Sequence, residues 1–288
     1  MNILLQFTHY TQQIGYGKST QYQLNSCITE FLEVTQKSIE NIERQDILDF
    51  YEYLQTRPLK KRTGVLSQAM IQHYISALKT FFEWLEQQHH LQENPISNIR
   101  FKRPERTTRE PLSQQEVAQL FRAAQTIKET ALLHLFYSCG LRRTEAENLN
   151  ISDLHFSKNL VYVRQGKGAK RRVIPITEKV KKHLENYYIK ERTAINKQTT
   201  LRQNKEAYML GATNQRMSGD GYNRALKNIL KRTEIQQKIT LHHLRHSIAT
   251  HLLENGLSVE FVRDFLGHSH LETTQIYAKV KAYQLKNL

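Results

Sequence analysis

Apolar residues recur at helical spacing through the first hundred residues of the chain. The stretch from Thr20 to Phe31 carries them every three or four positions, and the stretch from Ile47 to Leu54 repeats the pattern until R57-P58 ends it. A longer amphipathic stretch runs from Met70 to Leu85 and includes the single tryptophan, Trp84, which we expect in the core. The pattern predicts a small helical bundle.

The rest of the chain combines helical spacing with a short region of strand-like alternation. Ser113 and Glu116 have the spacing of a capping box at a helix start. Helices are predicted over residues 113–126, 127–139, 143–149, 177–193, 218–233, 240–255, 258–266 and 271–278. Strands are predicted over residues 153–156, 160–164 and 172–176, with a further strand at 208–210. This part is therefore predicted to be mostly helical with one small antiparallel sheet.

A basic segment with two prolines, residues 100–111, separates the two parts and has little apolar content. The chain of 288 residues is too long for one average domain and long enough for two. We therefore predict an N-terminal helical domain over 1–99, a linker over 100–111 and a C-terminal mixed α/β domain over 112–288. The expected fold class is mainly α.

Charge is distributed unevenly along the chain, whose formal net charge is +15. Residues 1–110 hold 13 basic and 12 acidic residues, so 29 basic and 15 acidic residues, a balance of +14, fall in residues 111–288. Such an asymmetry predicts a polyanionic partner, either nucleic acid or an anionic membrane surface. No run of 18 apolar residues is present for a membrane span, and the first ten residues lack the features of a signal peptide.

The two cysteines, Cys27 and Cys139, lie far apart in the sequence, so we expect no disulfide and a reducing, cytoplasmic location. Cys139 is expected to be a buried apolar residue. No cluster of cysteine and histidine has the spacing of a zinc site, and no metal or cofactor is expected.

Four short motifs in the C-terminal domain combine into one chemistry. They are G140-L141-R142-R143-T144-E145, Q165-G166-K167-G168, H242-H243-L244-R245 and L266-G267-H268-S269, the last followed nine residues after its histidine by Tyr277. The set supplies two arginines, a lysine, two histidines and a tyrosine within one predicted domain. Each motif alone is a weak signal, but the ordered set indicates a reaction at a phosphodiester.

Displacement at phosphorus builds negative charge on the non-bridging oxygens, and fixed cations are the main catalytic device available without a metal. Arg142 and Arg245 suit this role because a guanidinium stays charged and can hold two oxygens. Tyr277 is the candidate nucleophile, and its phenol, with a pKa near ~10, needs a neighbour to help it ionise. Lys167, between two glycines on a turn, could protonate the departing 5′ oxygen.

This motif set resembles the active site of the tyrosine recombinases, also called the phage integrase family. The similarity covers nearly the whole chain, and the stretch from R245-H246-S247 through T273-T274-Q275-I276-Y277 is most similar to Xer-like members and bacterial integrases. The N-terminal half, with S67-Q68-A69-M70-I71 leading to L78-K79-T80-F81-F82-E83-W84, looks like the family's core-binding domain, a SAM-like helical bundle.

The resemblance implies how the matching residues would act. Arg142 and Arg245 would bind the scissile phosphate, and Lys167 would be the general acid. Tyr277 would attack phosphorus and form a 3′-phosphotyrosine intermediate. Strand exchange would pass through a Holliday junction, in a homotetramer assembled on double-stranded DNA. An accessory DNA-bending protein or a partner recombinase would be a further partner, and no membrane partner is implied.

Two histidines and one carboxylate complete the implied site. His242 and His268 would contact the phosphate and handle protons, while Glu145 matches the family's acidic position after the first arginine and would support the site without reacting. Only 11 residues follow Tyr277, which is short for the C-terminal helix that docks on the next protomer in many relatives. We expect no additional DNA-binding domain before the helical bundle, which would favour simple recombination at a core site.

Basic side chains in four places are predicted to contact the DNA backbone: a loop in the N-terminal domain, the linker, the turn before residue 172 and one face of the helix predicted over 218–233. They are Lys60, Lys61, Arg62, Arg100, Lys102, Arg103, Arg106, Lys170, Arg171, Arg172, Arg224, Lys227 and Lys231. For the loop and the helix face, a solvated charged surface is the alternative interpretation. The neighbouring histidines His243, His246, His251 and His270 are expected to be structural or surface residues.

Two other functions compete with a site-specific recombinase. A type IB topoisomerase uses related tyrosine chemistry and would relax supercoils without a specific site. A DNA-binding or regulatory protein could keep the scaffold without catalysis, although such a protein would have no need of Tyr277. Within the family, the sequence leaves open whether the reaction resolves chromosome dimers or integrates, excises or inverts a mobile element.

Overall fold

The computed structural model describes residues 3–59, 63–88, 90–102, 110–164, 171–193 and 204–267. The chain divides into two compact units, Met1–Thr107 and Thr108–Leu288. Among the described residues most of the structure is helical, and a single three-stranded antiparallel sheet lies in the second unit. The predicted fold class is confirmed.

The first unit contains four described helices. Helices α1 to α4 span Ile3–Gln13, Lys18–Thr35, Arg44–Thr56 and Gln68–Gln87. The last three correspond to the predicted helices, whereas α1 was not predicted. Only Phe7 and Thr11 are buried in α1, so the helical periodicity of its apolar positions is weak.

Aromatic rings dominate the core of the first unit. Phe7 packs edge-on against Phe81 with 5.2 Å between ring centroids, and Phe31 packs in the same way against Phe50 at 5.0 Å. Trp84 is 4% exposed and also contacts Phe7. The predicted core position of the tryptophan is confirmed, and the unit has a core of its own.

The second unit contains seven described helices and the sheet. Helices α5 to α11 span Gln114–Ala123, Ile127–Leu133, Arg143–Asn148, Glu178–Asn186, Gly219–Leu230, Leu241–Glu254 and Val259–Leu266. The capping box predicted at the start of α5 is present, because the Ser113 amide donates to Glu116 Oε2 and the Glu116 amide donates to Ser113 Oγ. The helix predicted over residues 271–278 lies outside the described residues.

Two of these helices continue as π-helical turns that helical spacing did not predict. α6 continues through His134–Ser138, and α8 continues through Tyr187–Arg192. Both segments are helical, so the predicted ranges 127–139 and 177–193 hold in extent but not in hydrogen-bond pattern. A π-turn inserts a residue into the helical ladder and re-aims the side chains that follow it.

The sheet has the order β1-β2-β3, with strands Leu154–His155, Leu160–Val163 and Arg172–Pro175. In the register of β2 and β3, Val163 faces Arg172. The further strand predicted at 208–210 is wrong: residues 207 and 210 form only isolated bridges, with Asn150 and Arg216. The segment is buried between helices, where its amides bond to single partners instead of a ladder.

The start of the second unit is fixed to helix α10. The amide of Leu112 donates to Ser247 Oγ over 2.8 Å, and the Leu112 side chain is fully buried. Along the described part of the chain, no helix has the length and apolar character needed to cross a membrane.

Candidate functional site

A glycine turn delivers Arg142 to the centre of the second unit. The π-turn after α6 ends before Gly140, which has a φ of +56°. A Cβ atom at Gly140 would lie 2.9 Å from Leu266 Cδ2, so both the backbone conformation and the close approach require glycine here. The chain then passes through Leu141 to Arg142, the residue that caps the start of α7.

The carboxylate of Glu145 is the hub of the site. It accepts from the backbone amide of Arg142 over 2.7 Å and from Arg142 Nη1 over 2.8 Å. Arg172 adds a two-pronged contact, with Nη1 on Oε1 at 2.8 Å and Nη2 on Oε2 at 2.7 Å. Arg245 Nη1 lies 3.7 Å from Oε2. Three arginines thus surround one carboxylate whose side chain is 1% exposed.

Arg245 projects from α10 into the interior and binds two backbone carbonyls. Its Nη1 donates to the Gly140 carbonyl and its Nη2 donates to the Leu266 carbonyl. The side chain is 5% exposed. These bonds fix the guanidinium between the turn that leads to Arg142 and the end of α11.

Arg172 reaches the same carboxylate from strand β3. Its Nε donates to the Phe265 carbonyl over 3.1 Å, and its side chain is 7% exposed. We predicted that Arg172 contacts the DNA backbone, and the structure corrects this: the guanidinium is buried and engaged within the protein. Arg171, which precedes β3, is exposed.

The electrostatics of this cluster favour an anion. Burial, together with the positive charges of Arg142 and Arg172, lowers the pKa of Arg245 to about 9, and the charge of Glu145 offsets only part of this lowering. Burial alone would raise the pKa of Glu145, but the hydrogen bonds and charge of Arg172, with those of Arg142, bring it to about 2. At neutral pH the three guanidinium groups and one carboxylate leave a net charge of +2 in a largely desolvated place. A phosphodiester oxygen would relieve that repulsion.

The four histidines of helix α10 have different environments. His242 is exposed at the second residue of α10, three positions before the buried Arg245. His243 is buried, and its Nδ1 accepts from the Thr240 amide over 3.0 Å at the start of the helix. His251 is buried against the Tyr137 hydroxyl. His243 and His251 are therefore structural, as predicted, and His246 lies on the surface.

Several predicted site residues lie outside the described residues. They are Lys167, His268 and Tyr277 among the catalytic predictions, and Lys60, Lys61, Arg62, Arg103, Arg106 and Lys170 among the predicted DNA contacts. His270 also lies outside. The remaining predicted contacts are exposed in the structure: Arg100, Lys102, Arg171, Arg224, Lys227 and Lys231. Their contact with DNA stays a prediction.

The role of Arg172 is what sequence reasoning missed. Lys170, Arg171 and Arg172 are adjacent, and we treated them as equivalent phosphate contacts. The sequence distinguishes them only in that Arg172 begins the strand predicted over 172–176, whereas Lys170 and Arg171 lie in the turn before it. The interior Arg172 needs a buried acid, and Glu145 in the first motif is that acid.

Comparison with known proteins agrees with this fold. Residues 110–283 match the phage integrase family, and residues 3–90 match the N-terminal SAM-like domain of phage integrases. The chain is 33% identical over 253 residues to a tyrosine recombinase XerD of Oceanobacillus iheyensis, covering 86% of this chain and 82% of the relative. It is 34% identical over 219 residues to a tyrosine recombinase XerC of Chlamydia trachomatis, covering 74% and 68%.

Solved structures extend the likeness to the whole architecture. The XerA recombinase crystal structure is 27% identical, with a TM-score of 0.50 and coverage of 99% of this chain and 97% of that one. A lambda integrase dimer bound to a core site has a TM-score of 0.70 at 18% identity, covering 94% and 98%, and supports the fold alone.

Fold, site and relatives together define an enzyme of the tyrosine recombinase class. The chain belongs to the phage integrase family, as the motif set predicted, and relatives named XerD and XerC are among its matches.

Proposed function

We propose that this protein is a site-specific recombinase that cleaves and rejoins duplex DNA through a covalent 3′-phosphotyrosine intermediate. The observation that carries the proposal is the cluster of Arg142, Arg172 and Arg245 around Glu145, which has an excess of positive charge and is fixed by bonds to the backbone. Such preorganised cations act on charge that develops in a transition state without first having to reorganise.

In the proposed reaction, Arg142 and Arg245 hold the non-bridging oxygens of the scissile phosphate. Arg142 is the more accessible of the two, with 21% of its side chain exposed. Tyr277 gives its phenol proton to His242 or His268 and attacks phosphorus, forming a phosphotyrosine bond to the 3′ phosphate and breaking the bond to the 5′ oxygen. Lys167 gives that oxygen its proton. The attack reverses when a 5′ hydroxyl from another strand displaces the tyrosine, so no ATP is required.

His242 and His268 complete the proposed site as proton-handling and phosphate-contacting groups. The exposed position of His242 at the start of α10 supports a contact with DNA, because the first turn of a helix directs its amides and positive dipole end toward an anion. Glu145 orients arginines and takes no part in the chemistry.

The proposed partner is double-stranded DNA, bound by a homotetramer that exchanges strands through a Holliday junction. A lambda integrase tetramer has been solved on such a junction, and that fold is shared here. An accessory DNA-bending protein or a partner recombinase would act with it, in the cytoplasm and without a membrane or a cofactor. Resolution of chromosome dimers and movement of a mobile element remain two versions of the same proposal.

A suicide-substrate trap tests the proposal. Purified protein, without metal, is incubated with nicked duplexes that tile the DNA flanking its own gene, and adducts are separated on a denaturing gel. We expect the wild-type protein to form an adduct that maps to Tyr277 and a 3′ phosphate. The variant Tyr277→Phe should bind the same duplex with unchanged affinity and form no adduct, because it lacks only the nucleophilic oxygen.

Each alternative function gives a different result. A type IB topoisomerase would relax supercoiled plasmids lacking any of the tiled sites. A DNA-binding protein without catalysis would bind the duplexes tightly and form no adduct. Equal cleavage by Tyr277→Phe would show that another residue is the nucleophile.

A further inference from the structure

We propose that Arg172 is a positioning residue that occupies the Glu145 carboxylate and thereby keeps Arg142 and Arg245 available for the phosphate. This inference rests on the proposed function and deepens it, because it names a third arginine on which the activity of the other two depends. Arg172 itself need not contact DNA.

The bonding at Glu145 carries the first step. Arg172 reaches both carboxylate oxygens at 2.8 and 2.7 Å, the paired geometry that gives the strongest contacts between these groups. Arg142 contributes one guanidinium bond and its amide. Arg245 stands at 3.7 Å, beyond hydrogen-bond distance. Arg172, which has no assigned place at the phosphate, therefore supplies two of these four hydrogen bonds, and it supplies both of them from its guanidinium.

The burial of Glu145 makes its need for these donors strict. A carboxylate whose side chain is 1% exposed has little access to water, so it must take its hydrogen bonds from the protein. Without Arg172, the nearest cations are Arg142 and Arg245. We expect the 3.7 Å gap to Arg245 to close and the contact with Arg142 to become two-pronged. Both changes would turn donors away from the phosphate.

The surroundings of Arg172 are fitted to a guanidinium. Its Nε donates to the Phe265 carbonyl, which ties β3 to the end of α11. Gly267 follows that helix with a φ of +77°, and a Cβ there would lie 2.9 Å from Arg172 Cδ and 3.0 Å from Nη1. A lysine could supply the charge at this position, but its single nitrogen could not match the planar fork that reaches both carboxylate oxygens and the Phe265 carbonyl from three nitrogens.

A set of four variants tests the inference: Arg172→Met, Arg172→Lys, Glu145→Gln and the double variant Arg172→Met with Glu145→Gln. The rate of adduct formation on nicked duplexes is measured at saturating protein, together with DNA affinity and the melting temperature. We expect Arg172→Met to slow adduct formation by about tenfold or more, as misplaced catalytic groups do. DNA affinity should stay within about threefold, because many other phosphate contacts remain. The rate of adduct formation by Arg172→Lys should lie between the rates of the wild type and Arg172→Met.

The double variant separates positioning from simple loss of structure. Glutamine keeps an acceptor for the Arg142 amide but has no charge to capture the two arginines. We therefore expect the double variant to cleave at least about threefold faster than Arg172→Met alone, a coupling that independent structural losses would not produce.

The variant Arg192→Met is the matched control. Arg192 is also buried, at 3% exposure, and donates to the carbonyls of Ala207, Asn204 and Lys205 without approaching Glu145. Its loss should lower the melting temperature while leaving the rate of adduct formation unchanged at a temperature where the variant is folded.

Two results would overturn the inference while leaving the proposed function intact. One is wild-type adduct formation by Arg172→Met. The other is a double variant no faster than Arg172→Met. If the wild-type protein forms no adduct on any tiled duplex, the proposed function fails, and the inference that rests on it fails with it.

Discussion

At the scale of single residues, Glu145 shows how one helix start can organise a whole site. Its position three residues after Arg142 lets it bind the backbone amide there, as a capping carboxylate does. The same two oxygens also accept hydrogen bonds from the guanidinium of Arg172, on β3, and from the guanidinium of Arg142 itself. A local rule of helix geometry therefore fixes where the positive charge of the site is held.

The variant Glu145→Gln should destabilise the protein in a pH-dependent way. The pKa of Glu145 in the folded protein is about 2, below its ordinary value of 4.5, so its contribution is fully present above pH 4.5 and is lost as the pH falls toward 2. That shift corresponds to about 3 kcal/mol at neutral pH. Denaturant unfolding at pH 7 and pH 4 measures it.

The difference in free energy of unfolding between wild type and Glu145→Gln should become smaller as the pH falls below 4.5. Exposed Glu178, at 71% exposure, serves as the control, and Glu178→Gln should change stability little at either pH. If the free energy of unfolding depended on pH equally in wild type and Glu145→Gln, the ionised carboxylate of Glu145 would not be what stabilises the fold.

The sequence predicted most of this centre and missed one member for a physical reason. Arg142, Glu145 and Arg245 lie in motifs whose order along the chain indicates their chemistry. Arg172 lies in a run of three basic residues, and its partner is 27 positions away. Contacts at that separation depend on how β3 packs against α7, which local spacing does not encode.

At the scale of elements, the π-turn after α6 packs against α8 through two histidines. His134 Nε2 lies 2.7 Å from His183 Nδ1, and His134 Nδ1 lies 2.9 Å from Ser138 Oγ. Burial lowers the pKa of His134 to about 3, with the charges of His183 and Lys179 contributing next. The contact between the two elements therefore requires a neutral His134.

Acid should loosen this contact before it affects the arginine centre. Because the folded pKa of His134 lies below its ordinary value of 6.5, stability is fully present above pH 6.5 and is lost as the pH falls toward 3. Between pH 7 and pH 5 the loss should approach about 2 kcal/mol. The variant His134→Gln should remove most of that slope, as thermal unfolding at the two pH values will show.

His246, exposed on α10, provides the control for this measurement. His246→Gln should leave the pH slope of the wild type unchanged. An unaltered slope in His134→Gln would mean that other groups cause the acid sensitivity.

The helices and strands also show which structural features a periodic sequence pattern predicts and which it misses. Helical spacing predicted the extents of α6 and α8 with their π-helical continuations, but it gave no sign of the altered hydrogen bonding. The strand predicted at 208–210 is wrong: the amide of Tyr208 donates to the Leu149 carbonyl and the amide of Leu210 donates to the Tyr187 hydroxyl. Tertiary packing decided both cases.

At the scale of the whole molecule, the excess charge of residues 111–288 gives a prediction about salt. Arg224 and Lys227 on α9 and Lys231 at its C-cap are exposed at spacings of three and four residues, which places them on one face. If this face binds DNA, changing all three to Gln should reduce the slope of log affinity against log salt concentration by about 2 to 3, at about 0.9 per phosphate contact. Fluorescence anisotropy with a duplex at several salt concentrations measures it.

The control for the salt experiment is Lys37, whose charge is engaged by Asp46 at 2.8 Å on the first unit. Lys37→Gln should leave the slope as it is. If the triple substitution left the slope of log affinity against log salt concentration unchanged, the face that carries Arg224, Lys227 and Lys231 would be a solvated surface that does not bind DNA.

The two hydrogen bonds that Arg245 donates to backbone carbonyls have a consequence for when the protein is able to cleave DNA. They join α10 to a turn 105 residues earlier and to a helix end 21 residues later, so the guanidinium is in place only when all three segments have assembled. Under the proposed function, a molecule that has released α11 or the Gly140 turn loses its phosphate clamp in the same event. A partly unfolded or newly synthesised chain should therefore be inert toward the chromosome instead of nicking it, and the capacity to break DNA should appear only with the complete native state.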